Sequence, residues 1–164
     1  MSVEHTNDID LRIAVINRLF EQGIDRKNIR HEIPMDTASS GGRMDVVVLS
    51  DIVTCIEIKS GKDTLKKLLE QANRYMRAAD VVKVVMDARW INNRKNSLRW
   101  YSNTFFWHRD LGFVDQYRGE LQQYKAVDLV VPRFSNSGVT NVVDMCHLFW
   151  AEEAREIAPV RGIP

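Results

Sequence analysis

Two carboxylates and a lysine sit within two runs that are otherwise apolar enough to be buried. Arg43-Met44-Asp45-Val46-Val47-Val48-Leu49 and Val53-Thr54-Cys55-Ile56-Glu57-Ile58-Lys59 both read as β-strands, rich in branched residues. Ser50 and Asp51 leave room only for a short turn, which predicts an antiparallel hairpin. Both strands are apolar on both faces apart from Asp45, Glu57 and Lys59, which predicts a central place in a sheet. Burying a carboxylate or an ammonium there is costly unless the charges pair with each other or hold a cation.

Strand side chains alternate, so Cys55, Glu57 and Lys59 share one face. Their Cβ atoms are spaced by roughly 7 Å, close enough for the tips of Glu57 and Lys59 to reach one point. A hairpin closing at Ser50-Asp51 brings Asp45, near the start of one strand, to Glu57 and Lys59, near the end of the next. Two hard carboxylates can hold Mg²⁺ or Mn²⁺. Such an ion activates water and screens an anionic phosphodiester. Lys59 would orient the water and stabilise developing charge rather than act as base, because adjacent carboxylates oppose a lowered pKa. The carbonyl of Ile58 lies between the two side chains and is a further candidate ligand. The same three residues are also what a buried structural ion pair or an edge strand would show.

The remainder reads as one α/β domain over 1–164, with a core at about 8–87 and an extension at about 88–164. Asn7 or Asp8 predicts the cap of a helix reaching Gln22, stopped by Gly23. Its apolar residues form more than one stripe, so it is expected to be covered by a sheet and a neighbouring helix. A strand is expected over Asn28–Ile33, ended by Pro34, then a loop over Asp36–Gly42. Asp63 is expected to cap a helix from Thr64 to about Ala79, with Leu65, Leu68, Leu69, Ala72, Met76 and Ala79 inward. Val81–Met86 is a further strand. Late strands at Phe113-Val114 and Ala126–Val131, a loop at Phe134–Thr140 and a final helix at Val143–Ile157 complete the prediction.

Net charge is +1, which argues neither for nor against a polyanionic partner; distribution is more informative. Lys59, Lys62, Lys66, Lys67, Arg74 and Arg77 stand against Asp63 and Glu70. Arg89, Arg94, Lys95 and Arg99 form a second basic stretch beside Trp90 and Trp100. These suit nucleic-acid phosphates and bases, or an ordinary solvated surface. Arg43 shares the face of Asp45 and either pairs with Glu32 or contacts phosphate. Ser60 lies where a substrate backbone would approach, or simply in a loop. His108 and His147 have no ligand partners at recognisable spacing and read as structural. Cys55 and Cys146 lie in separate apolar segments, which fits a reduced, cytoplasmic protein. No run approaches the roughly 20 apolar residues of a membrane span, and Met1–Asp10 has no signal-peptide character.

Asp45, then Glu57-Ile58-Lys59, resembles the signature of the PD-(D/E)XK, or restriction-endonuclease-like, nuclease superfamily, although its proline is absent. Gln71-Ala72-Asn73-Arg74-Tyr75 resembles the QxxxY element of RecB-type members. With Glu32, Ser60, Asp63-Thr64-Leu65 and His147-Leu148-Phe149-Trp150, the pattern is similar to the Sce7726-like group. The resemblance implies an α-β-β-β-α-β core with a mixed central sheet flanked by helices, and metal-dependent hydrolysis of DNA. It implies metal ligation by Asp45 and Glu57, beside the Ile58 carbonyl, with Glu32 as an extra metal or water ligand, and catalytic roles for Asp45, Glu57, Lys59, Gln71 and Tyr75. Arg43, Ser60, Lys62, Lys66 and Arg74 would contact DNA. The alternative is an inactive nucleic-acid-binding module or an assembly subunit with the same fold. A homodimer or a protein partner is compatible with either.

Overall fold

A computed structural model describes residues 6–37, 40–96 and 103–130. The expected loop at 134–140, the helix at 143–157, Cys146, His147, Arg99 and Trp100 lie outside the described residues. So do the side chains of Arg94 and Lys95. The chain divides into two compact units. The first comprises Met1–Gly23, Ile58–Leu65 and Lys83–Leu129; the second comprises Ile24–Glu57, Lys66–Val82 and Val130–Pro164.

In the first unit, helix α1 (Asp8–Glu21) starts where the Asn7 side chain accepts the Asp10 N–H at 2.8 Å. Asp8 and Asp10 in the first turn suit the helix dipole. Leu11, Val15 and Leu19, at a spacing of four, are wholly buried. The expected second stripe of Ile9, Ile13, Ile16 and Phe20 is covered only in part: Ile16 is half-buried, while Ile9, Ile13 and Phe20 are 66%, 54% and 47% exposed. Residues 127–129 run beside α1 and are not the expected strand. Their backbone is satisfied by helix side chains: Arg18 Nε donates to the Val127 carbonyl at 2.7 Å, and Leu129 N–H donates to Gln22 Oε1 at 3.0 Å.

In the second unit, β1 (Ile29–Thr37) and β2 (Ser40–Val48) pair antiparallel from Ile29↔Val48 to Thr37↔Ser40. Pro34 does not end β1, and the expected 36–42 loop is largely strand. Pro is tolerated on a strand whose only partner among the described residues is β2. β3 (Thr54–Lys59) adds antiparallel to β2, and its residues Thr54–Glu57 belong to this unit.

Helix α2 (Leu68–Tyr75) buries Leu68, Ala72 and Tyr75. It is shorter than the expected Thr64–Ala79 at both ends. The Asp63 carboxylate accepts from Ser60 N–H and Oγ–H, each at 2.7 Å, and so closes a turn rather than capping a helix. Beyond Tyr75, Arg77 and Ala78 bond back three residues, to Arg74 and Tyr75. Asp80 then fastens the turn to the start of β3: its carboxylate accepts the Val53 N–H at 2.7 Å, and the Val53 carbonyl accepts the N–H groups of Asp80 and Val81.

β4 (Val81–Asp87) carries residues of both units. Within the first unit it pairs parallel with β5 (Thr104–His108). β5 pairs antiparallel with β6 (Gly112–Tyr117), and β6 with β7 (Glu120–Gln123). Arg118 and Gly119 turn the last hairpin at φ 51° and 87°, the backbone that a tight two-residue turn requires. Among the described residues no helix is long and apolar enough to cross a membrane.

Candidate functional site

The β2–β3 register pairs Val46 with Ile56 and Val47 with Cys55, so one further step brings Asp45 opposite Glu57. On the other side, His31↔Val46 and Ile33↔Met44 flank Glu32 and Asp45. Three carboxylates thus occupy one row across three strands. Glu57 is 2% exposed and Asp45 is half-buried. Glu32 departs from the row: its backbone lies at φ 55°, which breaks strand alternation, and its carboxylate pairs with Arg43. Among the described residues, no three His, Cys, Asp or Glu side chains form a group able to hold a metal ion.

Tyr75 reaches this row from α2. Its hydroxyl donates to the Arg43 carbonyl at 2.7 Å, which fixes the helix on β2. Burial pushes the phenol well above its ordinary range, and Glu57, Cys55 and Asp45 add to the effect. Burial, then the charges of Glu57 and Asp45, likewise push the Cys55 thiol up. The resulting cluster is compact, acidic and covered.

Cys55 yields a test of that environment. A thiol that keeps its proton more firmly when folded contributes stability below its unfolded pKa of about 8.5; that contribution is lost as pH rises further. In paired urea titrations, the wild type should lose stability relative to Cys55→Ala above about pH 8.5, by up to about 1.4 kcal/mol per pH unit. Parallel pH profiles would show that neither burial nor the neighbouring carboxylates hold the proton on Cys55.

Gln71 is half-buried on α2, four residues before Tyr75. Ile58, Lys59 and Ser60 belong to the first unit and are buried. Ser60 is engaged locally: its carbonyl accepts the Trp90 Nε1–H at 3.0 Å. Lys62 is exposed in the same loop.

The second unit also carries a basic surface. Lys66 and Lys67 are exposed at the amino end of α2, and Arg43 is exposed on β2. Arg74 pairs with Glu70 at 2.8 Å and lies over the backbone of Gly42, where a Cβ would fall 2.6 Å from its Nη1. The helix and the hairpin therefore meet where the Arg74 guanidinium packs closely on the Gly42 backbone. Gly42 in a loop gave no hint of this; Gly42 within a strand does. The residue pattern also passed over Lys83, buried in β4. Its Nζ donates to Asn103 at 3.0 Å, and burial lowers its pKa.

A family model described as Bacteriophage P4 protein cII matches residues 1–98. The match covers more than half of the chain, and the chain belongs to that family. No curated protein and no solved structure matches it.

This membership overturns the resemblance to PD-(D/E)XK nucleases, including its Sce7726-like and RecB-type features, because the family is not one of those nucleases. The restriction-endonuclease-like fold class falls with it, as do Mg²⁺-dependent deoxyribonuclease activity and the Mg²⁺ or Mn²⁺ cofactor. The physical reason is the brevity of the signature. An acid on one strand and an acid and a lysine on the next are also what buried ion pairing produces. Without that activity, Asp45, Glu57, Lys59, Gln71 and Tyr75 are described by position and contacts alone.

Proposed function

We propose, from membership of this family and from the basic surface of the second unit, that the chain is a DNA-binding module that holds DNA without turning it over. One observation carries the reading: Arg43, Lys66, Lys67 and Arg74 come from a hairpin and a helix joined by the Tyr75 hydroxyl on the Arg43 carbonyl and by Arg74 packed on Gly42. Lysines at the amino end of α2 work against the helix dipole, so their place does not serve the helix. A phosphate there relieves the repulsion and adds charge-assisted hydrogen bonds. The Arg43–Glu32 ion pair is exposed on both sides, so a phosphate backbone displaces it at little cost; Arg74, only 14% exposed, supports the surface from beneath while its partner Glu70 is exposed.

The surface suits duplex phosphates better than splayed bases. Tyr75 is the sole Phe, Tyr or Trp among the described residues of the second unit, and it is buried. A platform for stacking single-stranded bases is therefore lacking among those residues. Binding should be largely independent of sequence, with phosphate contacts setting affinity.

Fluorescence anisotropy of a labelled duplex at about 50 mM salt, with a chelator present throughout, tests this reading. The expected result is saturable binding with the DNA recovered intact. An anisotropy that stays at the free-DNA value overturns it, as does binding that requires a divalent cation.

A further inference from the structure

In the first unit, the segment after β4, the β5–β6 turn and the β6–β7 hairpin line a half-open cavity of about 500 Å³. That size is typical of small-ligand sites. Its apolar lining comes from Ala88 and Ile91, both buried, and from Leu121. Arg89, Arg109, His108, Asn92 and Gln116 supply polar groups.

Several of the polar groups have defined partners. Asp87 also lines the cavity, but its two carboxylate oxygens are engaged: one accepts the Thr6 N–H at 2.9 Å, the other the Arg89 N–H at 2.8 Å. His108 Nδ1 accepts the Asp110 N–H at 3.2 Å, so neutral His108 carries its proton on Nε2 as a donor. The Arg89 guanidinium sits 4.1 Å from the Trp90 ring, a cation–π contact that restrains it. Trp90 is itself anchored to Ser60. Arg109 pairs with Asp10 at 3.4 Å, an exposed contact weaker than a phosphate would make. Asn92 carries an amide, which places a donor beside an acceptor as a base edge requires; the Gln116 amide donates to the Gly119 carbonyl at 3.4 Å, a long bond on an exposed turn, and keeps its oxygen as an acceptor.

We propose that this cavity binds a nucleoside monophosphate. Arg89 and Arg109 meet the phosphate, the amides meet the base edge, and Ile91 and Leu121 supply apolar surface for the ring. Two arginines balanced by Asp87 and Asp110 suit one phosphate group rather than a polyphosphate.

Calorimetry on the full chain with the four common monophosphates, the matching nucleosides and inorganic phosphate tests the assignment. At least one monophosphate should bind, with its nucleoside and free phosphate each weaker by about tenfold or more. Arg109→Ala should weaken that monophosphate about tenfold. Leu121→Trp should fill the cavity and remove binding while far-ultraviolet circular dichroism stays native. The proposal is overturned if no monophosphate gives heat, if inorganic phosphate binds as tightly as the nucleotide, or if either variant binds like wild type.

Discussion

Tyr75→Ala is expected to destabilise the second unit by about 3–5 kcal/mol, the cost of removing a large buried aromatic. Tyr75 is 1% exposed and among the largest fully buried side chains of the chain. Its ring helps fix α2 on the hairpin, and its hydroxyl satisfies the Arg43 carbonyl at 2.7 Å. Truncation leaves a cavity and removes that bond together. Domains are held by only about 5–15 kcal/mol in total, so the loss is a large fraction of the whole. Tyr75→Phe separates the two contributions: it keeps the ring and should cost about 1–2 kcal/mol, the hydrogen bond alone. Urea denaturation of both variants measures the difference. A Tyr75→Ala cost below about 1 kcal/mol would show that the helix is not held by this residue.

The second large effect is on binding. Replacing Arg43, Lys66, Lys67 and Arg74 together by alanine removes four cations from the second unit. At about 1 kcal/mol per phosphate contact, duplex affinity should fall by two to three orders of magnitude. The fold should survive with a lowered thermal midpoint: Arg43, Lys66 and Lys67 are exposed, whereas the Arg74 side chain is 14% exposed and packs α2 on Gly42. A native circular dichroism spectrum with binding lost is the expected pair of results. Retained affinity would move the DNA contact elsewhere.

The sequence made the central hairpin legible because Ser50-Asp51 is a short polar break between two branched apolar runs. Helix α1 was legible from Asn7 and the Leu11, Val15, Leu19 spacing. The helical pattern of 64–79 was misleading, because periodicity does not show that Ser60 claims the Asp63 carboxylate. Pro34 misled in the same way: whether a proline ends a strand depends on which edge is paired. The acidic row was visible as residue types. The left-handed backbone of Glu32, which turns it to Arg43, was not. The seat of Arg74 on Gly42 joins positions 32 residues apart and depends on tertiary packing.

A salt titration of duplex binding tests the phosphate-reading surface most directly. With about four phosphates neutralised, wild-type affinity should fall about a hundredfold between roughly 50 and 200 mM salt, and the slope should nearly vanish in the fourfold alanine variant. An affinity that holds steady across that range, or a variant with the wild-type slope, would contradict it.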